Sequence, residues 1–179
     1  MQYAGFWRRF GAFWIDFIAL LPLMAIGVFG TNLSRWFHPI WLIPGALIGL
    51  WFSVYLVIRH GGTPGKLVMG TRIVMEDGSA VTTQAAVVRH SVLFALSFLT
   101  SAALAYAAVI APDDQYHSLT FVQKSVFLTE LAPSWYGVLN VLLQVWVWSE
   151  FITILCNKKK KALHDYMAGT VVIRLQAKG

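Results

Sequence analysis

The 179 residues are 58% hydrophobic and only 12% charged, with a net charge of +6. Soluble domains carry about 25% charged residues, so half of the usual solubilising charge is missing and a bilayer is the solvent this composition calls for. The basic residues sit in short segments between apolar runs, which excludes a nucleic-acid surface, and the single Cys156 excludes an intrachain disulfide.

In chain order, the first apolar run extends from about Phe10 or Trp14 to Phe29, behind Arg8 and Arg9. Asp16 interrupts it and no small-residue cleavage site follows, so a membrane span is expected rather than a signal peptide. Pro22 is expected to bend it. A second run covers Pro39 to Ile58 and carries Gly45 and Gly49 in a G-x-x-x-G pair. A loop over 59–90 follows. Gly61-Gly62-Thr63-Pro64-Gly65-Lys66 reads as a rigid turn. Thr71 to Met75, Asp77-Gly78 and Ser79 to Val81 read as a small β-hairpin with a two-residue turn. Thr82 or Thr83 is placed to cap a helix running into the third span, Ser91 to Ile110, where Ser97 and Ser101 make a small-residue face. The loop 111–134 opens with Asp113 and Asp114, and Leu119, Val122 and Val126 fall at helical spacing, as in an interfacial helix. The fourth run is Trp135 to Cys156. The tail, 157–179, holds the Lys158 to Lys161 run and a strand candidate, Thr170 to Ile173, expected to pair with the hairpin.

Each run has roughly 20 residues, which at ~1.5 Å per residue spans the ~30 Å hydrocarbon layer. The expected fold is therefore an all-α, four-helix transmembrane bundle over the single domain 1–179, with a small cytoplasmic β-hairpin. Of the 14 Lys and Arg residues, all but Arg35 and Lys124 lie in the N-terminus, the 59–90 loop or the tail, Lys178 included. Positive charge marks the cytoplasmic side, so both termini are expected inside. The small-residue faces, Gly45 and Gly49 with Ser97 and Ser101, suit close helix approach within or between subunits.

Asp16 is the most informative residue, since a carboxylate in a span costs ~2.5–3.5 kcal/mol on insertion scales. It either pairs with Arg9 or holds a cation or proton. Seven residues separate the two, so they share a helix face ~10 Å apart, with room for a third group between them. Glu150 lies at a similar depth in the fourth span, as a second ion-binding candidate or a hydrated group. The turn ending at Lys66 lacks the spacing of a phosphate loop. His164-Asp165, with His60 and His90, lacks i, i+4 metal spacing, and no nucleophile has a legible base. No metal, cofactor or enzymatic activity is expected.

Three ordered motifs together resemble the RDD family, named for one arginine and two aspartates. They are Tyr3-Ala4-Gly5-Phe6-Trp7-Arg8-Arg9-Phe10 with Ile15-Asp16, then Gly62-Thr63-Pro64-Gly65-Lys66 with Gly70-Thr71-Arg72-Ile73-Val74 and Asp77-Gly78, and Leu163-His164-Asp165 with Ala168-Gly169-Thr170-Val171-Val172. By position the resemblance makes Arg9 the arginine and Asp16 and Asp165 the aspartates. Arg8 is out of phase with Asp16 by ~80°. The resemblance implies a bacterial or archaeal inner-membrane protein, and sodium–proton antiport, attributed to one member, is a lead.

Two classes of function follow. In the first, a transporter or channel for a monovalent cation coupled to protons, Asp16 and Asp165 exchange ions, Arg9 tunes them, and Glu150 stands at the mouth. Arg8, Arg59, Lys66, Arg89 and His164 complete the charge network, and a homo-oligomer is expected because four helices enclose little space. In the second, a membrane scaffold or accessory subunit, the same Arg–Asp–Asp set clips the tail and the hairpin onto the bundle.

Overall fold

The computed structural model describes residues 2–175; Lys178 of the basic tail lies outside them. Among the described residues, four helical segments are long and apolar enough to cross a membrane: Phe6–Leu33, Phe37–His60, Thr83–Ile110 and Trp135–Cys156. The first is α1 (Phe6–Leu33). The second is α2 (Phe37–Leu50), a π-helical turn at Trp51–Tyr55, and α3 (Leu56–His60). The third is α5 (Thr83–Ile110), capped by the Thr82 hydroxyl, which accepts from the Ala85 amide at 3.1 Å. The fourth is α8 (Trp135–Cys156). Their outward faces carry exposed Ile, Leu, Val and Trp, such as Ile18, Leu47, Val138 and Val145. That is the surface a lipid solvent requires.

Each end of the bundle has its own small core. At the end that holds Gln2 and Leu175, β1 (Thr71–Met75) pairs antiparallel with β2 (Thr170–Arg174), with Ile73 opposite Val172. The N-terminal segment joins the other edge of β2. The Ala4 amide donates to the Val172 carbonyl, the Arg174 amide donates to that of Gln2, and both distances are 2.9 Å. Beneath this sheet Ala4, Val57, Ile73, Ala86, Ala168 and Val172 pack together. At the opposite end α6 (Asp113–Ser118) and α7 (Phe121–Leu131) fold back on α5, burying Tyr116 and Leu128 against Ala107, Ala108 and Ala111. Arg35 ties that end together, with Nε 2.7 Å from Asp113 Oδ1 and Nη1 donating to the carbonyls of Ala108 and Val109.

Two expectations are corrected here. The loop does not form a hairpin. The Asp77-Gly78 turn closes and the Met75 amide donates to the Ser79 carbonyl at 3.0 Å, but the next outward amide on that edge, Ile73, is already taken by the Gly61 carbonyl at 2.7 Å. The returning chain finds no free ladder position, so β1's strand partner is the distant β2. In the 111–134 loop the expected helix forms through Val122 and Val126 as α7, but Leu119 falls outside it, at the end of α6, and the chain restarts at Thr120, whose amide donates to Gln123 Oε1. Leu128 and Lys124 turn inward, while Val122 and Val126 stay exposed.

Candidate functional site

Four short pieces converge where α1 meets the terminal-end sheet: the first turns of α1 and α5, the 61–68 turn, and α9 (Leu163–Ala168) with β2. Asp165 lies at their centre with no solvent exposure. Arg9 Nη1 donates to its Oδ2 at 2.7 Å, and Arg89 pairs with its Oδ1. The Ala162 amide donates to Oδ2 at 2.9 Å, and Thr170 Oγ1 lies 3.1 Å from Oδ1 while itself receiving Arg89 Nη1 at 2.8 Å. The Asp165 carboxylate also sits at the third position of α9, where it meets the amide of the residue before the helix. Burial alone would push the Asp165 carboxyl up; the Arg89 and Arg9 guanidinium groups outweigh it and hold the group well below the usual carboxylate range. The arrangement is a saturated, buried carboxylate between two guanidinium groups.

Asp16 has a different partner set. Its Oδ2 accepts from the Thr63 hydroxyl at 2.5 Å and its Oδ1 from the Gly65 amide at 2.7 Å. Of the two readings of Asp16, the direct pair with Arg9 does not form: the room between them on α1 admits the 61–66 turn as the third group, and Arg9 reaches across to the tail. Gly65 explains how the turn comes so close. A Cβ there would collide with the Ala12 carbonyl and stand 2.9 Å from the Asp16 carboxyl carbon. Pro64 opens the short α4 (Pro64–Val68), leaving the Gly65 amide free to face Asp16.

Glu150, from α8, pairs with His164 Nδ1, and its Oε1 accepts from the His164 amide at 3.3 Å. Burial, then the nearby Arg89 charge, pulls the His164 imidazole down, against the opposing pull of Glu150 and Asp165. A neutral ring donating from Nδ1 fits that hydrogen bond. Behind the pair lies a cavity of about 420 Å³, walled by Arg9, Lys66, Arg89 and Glu150 at its charged end. Phe52 and Ser53 of the π-helical turn also line it. Lys66 meets only Thr63 Oγ1, at 3.3 Å, among the described residues. Burial, then Arg89, lowers its ammonium to about 8, despite Asp16 nearby.

Other sequence candidates lie farther out. Arg8 Nη1 donates to the Met69 carbonyl at 2.7 Å, tying α1 to the end of α4. Arg59 is exposed at the end of α3 and joins none of these hydrogen bonds or ion pairs among the described residues. Lys161, at the end of the basic run, turns inward instead, pairing with Glu76 and lying over the Tyr166 ring at 4.7 Å. Gly45, Gly49, Ser97 and Ser101 face one another across a second cavity of about 430 Å³ between the second and third spans. That cavity shares His90 and Leu93 with the first. A third, of about 440 Å³ beside Tyr116 and Lys124, shares Thr31, His38 and Leu104 with the second. The three therefore lie in series along the bundle.

Sequence reasoning missed Thr63 and Thr170 as hydrogen-bonding partners and Arg89 as the second guanidinium on Asp165. A threonine before the Pro64 helix start and another after Gly169 were the signals available.

Compared with known proteins, the chain matches the RDD family over residues 3–169. No curated protein and no solved structure matches it.

Proposed function

The chain belongs to the RDD family, and from that premise we propose that it is a membrane scaffold whose Arg–Asp–Asp set is structural. The protein lies in a bacterial or archaeal inner membrane with both termini inside. Arg9, Asp16 and Asp165 clip the N-terminus, the central loop and the tail into one cap over the bundle. The observation that carries this reading is the saturation of Asp165, which meets Arg9, Arg89, the Ala162 amide and Thr170 with no solvent exposure. An ion-exchanging carboxylate needs coordination that a cation can claim. Asp165 offers none without breaking a buried pair, at a cost of ~3–5 kcal/mol.

A second reading, proton-coupled transport of a monovalent cation, is favoured by the three cavities in series. The exchanging groups would then be Glu150 and His164, at the cavity edge, with His90 and His38 along the way.

Reconstituted liposomes with an internal pH dye and imposed sodium or potassium gradients separate the two. The scaffold reading expects no cation-dependent proton movement by folded wild type, and an Asp165→Asn variant that is plainly less stable. Cation-dependent proton movement in wild type, lost in a stable Glu150→Gln variant, would overturn it in favour of transport.

A further inference from the structure

The inner cavity is unbalanced in a way neither reading uses. Of the charged groups on its wall, Arg9, Lys66 and Arg89 are cations and only Asp16 and Glu150 are anions. The two carboxylates are occupied by Thr63, the Gly65 amide and His164. Behind the wall Asp165 takes one nitrogen of Arg9 and one of Arg89, and Lys66 meets no carboxylate among the described residues. The Arg9 side chain is 9% exposed, yet its Nε and Nη2 have no hydrogen-bond partner among the described residues. Buried N–H groups of a guanidinium are almost always paired, so two orphans on a residue of the cavity wall are donors that an acceptor in the cavity can claim by a small turn of the side chain. Lys66, facing the same space, makes one long contact to a hydroxyl. A planar fork and a point charge together are the usual donor set for an oxyanion.

The rest of the wall says what the oxyanion is attached to. Phe17, Leu20, Phe52, Trp146 and Phe151 form an apolar sleeve running from the charged end into the spans. Phe13, also on that wall, is 48% exposed, so the sleeve is open beside α1. The volume, about 420 Å³, is within the range of ~300–1,000 Å³ that holds small ligands. We propose that this cavity binds a single-chain anionic amphiphile, its carboxylate or phosphate held by Arg9 and Lys66 and its chain lying in the aromatic sleeve.

The test uses the full chain in neutral phosphatidylcholine nanodiscs, with four labelled probes: oleate, oleoyl lysophosphatidate, monoolein and inorganic phosphate. Saturable binding of oleate or lysophosphatidate is expected, together with a rise in Tm; monoolein and phosphate should each bind far more weakly. Lys66→Met should weaken the binding about tenfold or more, as loss of a charge-assisted hydrogen bond does. Leu20→Trp, which fills the sleeve and leaves the charges intact, should abolish it and keeps the test decisive if Lys66→Met folds poorly. Equal binding of monoolein would mean an unspecific apolar groove and overturn the proposal. Equal binding of free phosphate would overturn the amphiphile, and absence of binding by either anionic lipid would overturn the site.

Discussion

At the scale of single residues, the two aspartates of the motif have separable tasks, and their neutral variants should differ accordingly. Asp165→Asn removes the charge between Arg9 and Arg89 and leaves two buried guanidinium groups facing an amide. A loss of about 3–5 kcal/mol is expected in denaturant or thermal unfolding. Asp16→Asn keeps one acceptor, for the Gly65 amide, and turns an NH2 toward the Thr63 hydroxyl, which can rotate to accept from it, so about 1–3 kcal/mol is expected. Equal losses would mean that the two carboxylates form one unit. The pH profile carries a second signature. Asp165 is depressed in the folded state, so its contribution is present above its ordinary 3.8 and is lost as pH falls toward the folded value. Lys66 is lowered from 10.5 to about 8, so the folded state binds fewer protons than the unfolded one between those values, and stability should rise across that window. Lys66→Met should flatten the alkaline rise and leave the acid limb alone. The helical phase of Arg9 and Asp16 was legible in the sequence. The partner of Arg9 was not, because it lies 156 residues away and nothing local selects it over Asp16.

At the scale of elements, docking of the 61–68 turn on α1 depends on a missing side chain. Gly65→Ala would drive a methyl into the Ala12 carbonyl and the Asp16 carboxyl, a backbone clash with no flexible group to yield. Overpacking of this kind costs about 1–3 kcal/mol, and limited proteolysis should find the loop more accessible than in wild type. Gly49 is the opposite case. Nothing lies within 4 Å of a Cβ there, and the residue faces the middle cavity. Gly49→Leu should therefore fold and plug that cavity. If wild type moves ions, this variant should not, and an unaffected flux would place the path elsewhere. The four spans were legible because length and apolarity alone specify them in lipid, and α8 begins and ends at the expected Trp135 and Cys156. The Gly45 and Gly49 pair reads in the sequence as a close-packing signal, but it lines the middle cavity opposite Ser97 and Ser101, with no atom of another element within 4 Å of a Cβ at either glycine. The hairpin was misread for a reason local sequence cannot supply. Its turn chemistry was sound, but the edge beyond Met75 belongs to Gly61.

At the scale of the whole molecule, the sheet constrains topology more tightly than charge counting does. β1 comes from the loop between the second and third spans, β2 follows the fourth, and Tyr3 precedes the first; all three are joined by backbone hydrogen bonds. Strands cannot pair across a bilayer, so the N-terminus, that loop and the tail must share one side. An even number of spans is then required, and the four helices agree. Which side remains a question of charge. Arg8, Arg9, Arg59, Lys66, Arg72 and Arg89 flank the spans on the shared side, whereas the opposite side has only Arg35 and Lys124. Those two are committed, Arg35 to Asp113 and helix-end carbonyls, Lys124 to the Asn32 carbonyl at 2.8 Å. Reporter fusions within 111–134 are expected to read external, and fusions after Ile58 and after Cys156 internal. The sheet adds a condition that charge alone does not. A variant with enough basic residues added to the 111–134 loop to invert the protein should turn over as one body, with all three shared-side segments changing together. Opposite readings at the N-terminus and the 59–90 loop, in a protein that still folds, would break the sheet-based argument. An internal reading for 111–134 in wild type would break the orientation.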